Sequence, residues 1–95
     1  MIKHVVAFKL KNPKDADVLK AKLMELEGIL GFIRFWEVGI NIGPSSKAYD
    51  VVAYSIFDCM DDLNTFRDHP KHIEIKNAIS VYIETSGTID YVSDR

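Results

Sequence analysis

The chain has 95 residues, 47% of them hydrophobic and 27% charged, which is typical of a small globular protein with one domain over residues 1–95. Its formal net charge of −2 provides no basic surplus for phosphate contacts, so we expect no nucleic-acid partner. One cysteine excludes an internal disulfide, and no apolar run is long enough to cross a membrane, so we expect a cytoplasmic protein without a membrane partner.

The N-terminal residues 2–11, IKHVVAFKLK, alternate with the two-residue period of a β-strand. One face of this strand carries four side chains: His4, Val6, Phe8 and Leu10. Residues 12–28 then predict a helix, because Asn12 can cap it, Pro13 suits its first position and leucines recur at helical spacing. Gly28 is a natural end for this helix.

Two more strands are predicted on either side of a turn over residues 43–50, GPSSKAYD. Residues 33–43 alternate between the two faces of a strand, and so do residues 48–57, AYDVVAYSIF. The second of these strands is largely apolar on both faces. That pattern is typical of a strand in the middle of a sheet that is covered on both sides.

A second helix is expected to begin with Asp58 as its cap and to bury a stripe of three side chains: Met60, Leu63 and Phe66. The residue before a proline is disfavoured in a helix, so we predict a break at His69, which precedes Pro70. The last helix is predicted over about residues 71–84. A fourth strand is predicted over residues 87–93, where apolar and polar side chains alternate again.

The element order β-α-β-β-α-β indicates an α+β fold of the ferredoxin-like class, with an antiparallel four-stranded sheet and helices on one face. The other sheet face keeps apolar side chains such as Val52, Tyr54 and Ile56. An open apolar sheet face on a small protein predicts a partner. The simplest partner is a second copy of the chain, packed sheet against sheet as a homodimer.

Four segments occur in order along nearly the whole chain: KHVVAFKLK, VGIN, YDVVAYSIF and HPKH. With this set the chain resembles the stress-responsive A/B barrel (Dabb) domain family. The resemblance implies a dimeric α+β barrel of ferredoxin-like subunits, with a pocket between sheet and helices in each subunit. One plant branch of the family closes an aromatic ring on a linear polyketide without a cofactor, and we expect no cofactor here. Other members are plant stress proteins, and many small bacterial members have no assigned activity.

In the cyclase branch the second histidine of the His–Pro–x–His motif is a general base, and it matches His72. A tyrosine six residues earlier assists that base, and this chain has Phe66 in its place. The strand-one histidine of the family matches His4, whose face of the predicted strand points into the same cavity. The resemblance therefore makes His72 the candidate catalytic residue and predicts a ligand pocket with these lining residues: His4, Val6, Phe8, Val38, Ile40, Ala53, Phe66 and Ile75.

Imidazole suits this task because its pKa near neutrality lets it act as an acid or a base, and an apolar pocket keeps it neutral. The alternative for His72 is a bond to nearby backbone in the first helical turn, with no chemistry. His69 is expected only to separate two helices. We expect no metal site, because the proline break between the two histidines spoils the helical spacing of ligands.

Three functions stay open at the level of the sequence. The first is a small-molecule binding protein that holds an apolar or aromatic ligand. The second is a cofactor-independent enzyme, either polyketide-cyclase-like or a quinone-forming monooxygenase, with His72 as its general base. The third is a non-catalytic stress or structural protein that acts through assembly.

Overall fold

The computed structural model describes residues 1–44 and 47–95, with the elements in the predicted order. The strands are β1 (Ile2–Leu10), β2 (Phe35–Ile40), β3 (Val51–Phe57) and β4 (Ile83–Val92). The helices are α1 (Ala16–Met24), α2 (Met60–Asp68) and α3 (Pro70–Ile79), and 3₁₀ turns cover Pro13–Asp15 and Ser80–Tyr82. The predicted turn over residues 43–50 includes Ser45 and Ser46, which lie outside the described residues.

Within the described part of the chain, the four strands form one antiparallel sheet in the order β2-β3-β1-β4. This order confirms the ferredoxin-like α+β class. The predicted alternation of β1 is also confirmed, because His4, Phe8 and Leu10 are buried while the residues between them are only partly covered. β1 lies between β3 and β4, so its buried face forms the middle of the core side of the sheet.

The hydrophobic core lies between this sheet face and the three helices. Leu19 of α1 and Leu63 of α2 are fully buried, and Ile75 of α3 is almost fully buried. α2 buries two of the three side chains of its predicted stripe, Leu63 and Phe66. In residues 1–44 and 47–95 no helix combines the length and the apolar character needed to span a membrane.

Two helix boundaries differ from the sequence prediction. α1 ends at Met24, and the chain continues in turns to Gly28, whose φ of +74° is a left-handed conformation that glycine adopts without strain. α3 ends at Ile79 rather than near residue 84, because Ile83 already pairs with Leu10 and begins β4. Pairing with the C-terminal half of β1 outweighs the helical preference of this segment.

The start of α2 also corrects a prediction. Cys59 takes the cap position without a side-chain bond, and Met60 is exposed rather than part of the buried stripe. The Asp58 carboxylate is engaged elsewhere, because Arg34 donates from Nε to Oδ1 at 3.1 Å and from Nη2 to Oδ2 at 2.6 Å. A bidentate guanidinium pair satisfies a carboxylate better than one backbone N–H, which explains the loss of the cap.

The outer face of the sheet is apolar and at least partly exposed. Its members are Phe35, Val52, Tyr54, Ile56, Ile89 and Tyr91. The rings of Phe35 and Tyr54 pack edge to face, with centroids 5.7 Å apart, so part of this face is already ordered within one subunit. We refer to these six residues as the outer apolar face.

The HPKH segment separates α2 from α3, as predicted. His69 ends α2 and has an extended backbone, with φ −66° and ψ 134°. Its Nδ1 accepts a hydrogen bond of 3.0 Å from the backbone N–H of Lys71, and Pro70 takes the first position of α3. His69 is therefore the cap that begins the last helix.

We expect His69→Ala to lower the free energy of unfolding by about 0.5–2 kcal/mol, because the Lys71 N–H loses its acceptor. His69→Asn should keep most of the stability, since its side-chain oxygen can accept the same bond. Urea denaturation followed by circular dichroism measures both variants. Equal losses in the two variants would show that the cap bond contributes nothing.

Candidate functional site

A cavity of about 650 Å³ lies between the core face of the sheet and helices α2 and α3. The predicted pocket residues that line it are His4, Val6, Phe8, Ala53, Phe66, His72 and Ile75. The sequence analysis missed other lining residues, including Leu23, Trp36, Arg67, Lys76 and Ile79. Most of the wall is apolar, and two histidines are among its polar residues.

Two residues of the predicted pocket lie elsewhere, which corrects their assignment. Val38 is buried in the core and does not line the cavity. Ile40 borders a separate and smaller hollow of about 250 Å³ near Gly39 and Asn41. Both are on the core side of β2, but α1 packs against this strand and fills the space in front of it. The alternation of side chains along β2 shows which of them face the helices, but not which part of this sheet face the helices leave uncovered.

His72 lies in the first turn of α3, half-buried at the cavity wall. Its Nδ1 is 3.1 Å from the backbone carbonyl oxygen of Arg67. A carbonyl can only accept, so Nδ1 carries the proton in the neutral ring and Nε2 keeps a lone pair. Burial lowers the pKa of His72, the bond to the carbonyl opposes this, and the nearby charges of His4, Lys76 and Arg67 lower it further. The neutral form is thus favoured.

Phe66 fixes the ring of His72 from the side. The two ring centroids are 4.7 Å apart in an edge-on arrangement, and Phe66 also packs against Trp36 and Phe57 at 5.6 and 5.4 Å. Such aromatic contacts restrict the rotation of each ring. Phe66 therefore supports His72 by packing, where the cyclase branch of the family would supply a hydroxyl.

His4 faces the same cavity from the sheet, and its side chain is 8% exposed. Its Nδ1 bonds Oδ1 of Asp90 on β4, and the guanidinium Nη2 of Arg67 donates to Oδ2 of the same carboxylate. Burial raises the pKa of the Asp90 carboxyl, but the two hydrogen bonds and the charges of His4 and Arg67 lower it below its ordinary value overall. Asp90 is therefore held as a carboxylate between a ring and a guanidinium.

A row of four polar side chains crosses the core face of the sheet in register: Trp36, Ser55, His4 and Asp90. Ser55 is fully buried, and its Oγ and the Trp36 Nε1 have no hydrogen-bond partner among the described residues. Buried polar groups are normally paired, so these two unpaired atoms are unusual in an otherwise apolar core. We refer to these four residues as the polar row.

The sequence contained only weak signals for Asp90 and Arg67. Alternation in the predicted fourth strand places Asp90 on one face with Thr88, but nothing in the sequence relates that face to His4. Arg67 follows Phe66 in the last turn of α2 and reads as a solvent-facing charge. Across residues 1–44 and 47–95, no group of three or more His, Cys, Asp or Glu side chains is placed to hold a metal ion.

Residues 2–93 match the family model described as the stress responsive A/B barrel domain, Dabb. The chain is also 21% identical, over 99 residues, to a stress-response A/B barrel domain-containing protein of Arabidopsis thaliana. This alignment covers 100% of the chain and 38% of the plant protein, so the chain spans well under half the length of that relative.

Solved structures share the fold over almost their full length. A dimeric protein of unknown function with a ferredoxin-like fold from Bacteroides fragilis is 27% identical, with a TM-score of 0.82 over 97% of this chain and 95% of that one. The hydroxynitrile lyase of Passiflora edulis is 20% identical, with a TM-score of 0.81 over 99% and 94%. SnoaB, a cofactor-independent oxygenase from Streptomyces nogalater, is 13% identical, with a TM-score of 0.77 over 99% and 93%.

The lyase and the oxygenase are too distant in sequence to show more than the shared fold. The family match rests instead on the sequence itself and extends from the start of β1 to the end of β4. It includes the strand that carries His4 and the helix that carries His72, and so the chain belongs to the stress-responsive A/B barrel (Dabb) domain family.

Proposed function

We propose that the chain binds an apolar or aromatic small molecule in the cavity between sheet and helices, next to His72 and His4. The observation that supports this proposal most directly is the hydrogen bonding and position of the His72 ring. Its Nδ1 is occupied by the Arg67 carbonyl at 3.1 Å, and its ring lies at the wall of an apolar cavity. The Nε2 lone pair can then accept a hydrogen bond from a ligand hydroxyl.

The dimensions and the lining of the cavity support this proposal. Ligand pockets commonly have volumes of about 300–1,000 Å³, with apolar walls and a few placed polar groups. The cavity has about 650 Å³, and the imidazoles of His4 and His72 face it among apolar side chains. A purely structural stress protein, the third alternative, needs no such space in its core.

The second candidate is a cofactor-independent enzyme in which His72 is a general base. A neutral imidazole with a free lone pair is the state that such a base needs. The lyase of Passiflora edulis and the oxygenase of Streptomyces nogalater lend support by the fold alone. Phe66 supplies no hydroxyl, and His4 is a polar residue of the same cavity that can assist His72 in its place. We further propose a cytoplasmic location, on the basis of the single cysteine.

Ligand binding should be detectable through Trp36, which lines the cavity and is the only tryptophan of the chain. We expect 4-butylphenol and 4-butylanisole both to change the tryptophan fluorescence. The phenol should bind roughly 2- to 12-fold more tightly, because one hydrogen bond to Nε2 contributes about 0.5–1.5 kcal/mol. Fluorescence titration gives both dissociation constants.

The variant His72→Phe keeps an aromatic ring but removes the acceptor. It should bind the phenol and the ether equally, with the ether as tightly as in the wild type. The control His69→Asn, outside the cavity, should keep the wild-type preference. No fluorescence change with either compound would contradict the proposal, and chemical conversion of the phenol by wild type alone would favour the enzyme.

The lowered pKa of His72 predicts a dependence of stability on pH. An unfolded histidine has a pKa near 6.5, so the unfolded chain takes up the proton first as the pH falls. The stabilisation from neutral His72 is therefore complete above about pH 6.5 and is lost as the pH falls through the lower folded-state pKa. Between about pH 7.5 and pH 5, the melting temperature of His72→Phe should fall less than that of the wild type.

Thermal melts of the two proteins at both pH values measure this difference. An NMR titration of the wild-type histidines gives a second measurement. A His72 midpoint at or above the ordinary value would contradict the neutral state on which the base role depends.

We also propose that the chain forms a homodimer through the outer apolar face. The Bacteroides fragilis structure, 27% identical, is described as dimeric. Ile89 and Tyr91 on this face are 65% and 44% exposed in the single subunit, and burial of apolar surface contributes about 25 cal/mol per Å². A second copy packed against this face would cover these side chains.

Ile89→Asp should dissociate the dimer, because it places a charge within an apolar contact. Val81→Asp is a matched control, since Val81 is 64% exposed but lies in the 3₁₀ turn outside the sheet. Sedimentation velocity should show a monomer for the first variant and a dimer for the control. A wild-type monomer at micromolar concentration would overturn this proposal.

A further inference from the structure

Arg67 connects the two histidines that line the cavity. Its guanidinium donates to Oδ2 of Asp90, whose Oδ1 bonds Nδ1 of His4. Its backbone carbonyl accepts from Nδ1 of His72 at 3.1 Å. One residue in the last turn of α2 therefore contacts a histidine on α3 directly, and a histidine on β1 through a carboxylate on β4.

The two acceptors have the same effect on the two rings. A carboxylate held by a guanidinium can only accept, and so can a backbone carbonyl. The hydrogen bond at one ring nitrogen decides which nitrogen carries the proton in a neutral imidazole. In the neutral form of each ring, Nδ1 of His4 and of His72 therefore carries the proton, and Nε2 keeps its lone pair.

Partial burial, the planar guanidinium and the strand register together fix the contact between Arg67, Asp90 and His4. The side chains of Asp90 and Arg67 are 21% and 35% exposed, so their charged hydrogen bonds are partly shielded from water. The planar guanidinium orients the carboxylate as well as neutralising it. Because His4 pairs with Asp90 in the strand register, this carboxylate is the group on β4 that can reach the ring.

We propose that Arg67 and Asp90 are positioning residues: together they hold His4, and the Arg67 carbonyl holds His72, in the Nδ1-protonated tautomer that turns both Nε2 lone pairs toward the cavity. The functional value of this role rests on the proposed function, because the lone pairs matter only where a ligand meets the rings. The tautomers themselves can be measured on the protein without any ligand. A failure of ligand binding is therefore distinguishable from a failure of this proposal.

The sharpest test is Asp90→Asn, which replaces the carboxylate by an amide of the same shape. Arg67 still needs an acceptor, so it should bind the amide oxygen and turn the NH₂ group toward His4. His4 Nδ1 must then accept, and its proton moves to Nε2. In the double variant Arg67→Met with Asp90→Asn the amide can rotate freely, so His4 should become a mixture of both tautomers.

The ¹⁵N chemical shifts of the ring nitrogens report the tautomer at a pH well above the ordinary histidine pKa of about 6.5. The wild type should show Nδ1-protonated His4 and His72. Asp90→Asn should reverse His4 and leave His72 unchanged, since the partner of His72 is backbone. A merely structural role of Arg67 and Asp90 would lower the stability without reversing a tautomer.

Three results would overturn the proposal. One is a wild-type His4 or His72 protonated at Nε2, which needs no variant to observe. Another is an unchanged His4 tautomer in Asp90→Asn. The third is the same full reversal in the single and the double variant, which would exclude Arg67 from the orientation of residue 90.

Discussion

The central position of β1 is the constraint on which the rest of the structure depends. This strand pairs with β3 on one side and β4 on the other, so His4 lies between Ser55 and Asp90 in one register. Successive side chains of a strand point to opposite faces. If the pairing register of β1 shifted by one residue, His4 would point to the outer face of the sheet and leave the cavity.

The polar row and Arg67 are not explained by stability alone. Burying charged groups costs free energy, and well-packed apolar replacements are often equally stable. The same sheet face holds apolar residues such as Val6 and Ala53 beside the row, so the fold does not require polar groups at this level. Three of these residues, Trp36, His4 and Arg67, line the same cavity as His72, which agrees with a ligand that has an apolar body and one polar group.

Much of the fold follows from local rules that act within a few residues. The alternation of β1, the break at His69 before Pro70 and the burial of Leu63 and Phe66 on α2 were all readable from the sequence, whereas the exposure of Met60 was not. The start of β4 was not, because Ile83 becomes extended only through pairing with Leu10, which is distant in the sequence. The local preference of a segment gives no information about a strand from the other end of the chain that pairs with it.

The sequence by itself determined the ferredoxin-like order, the family and the placement of His4 and His72 at one cavity. Tertiary structure decided the environment of these rings. Strand register brought Asp90 to His4, and the end of α2 brought Arg67 to both. The packing of α1 against β2 excluded Val38 from the pocket. Each of these outcomes depends on distances between separate elements, and residue periodicity specifies a face of an element but not what packs against it.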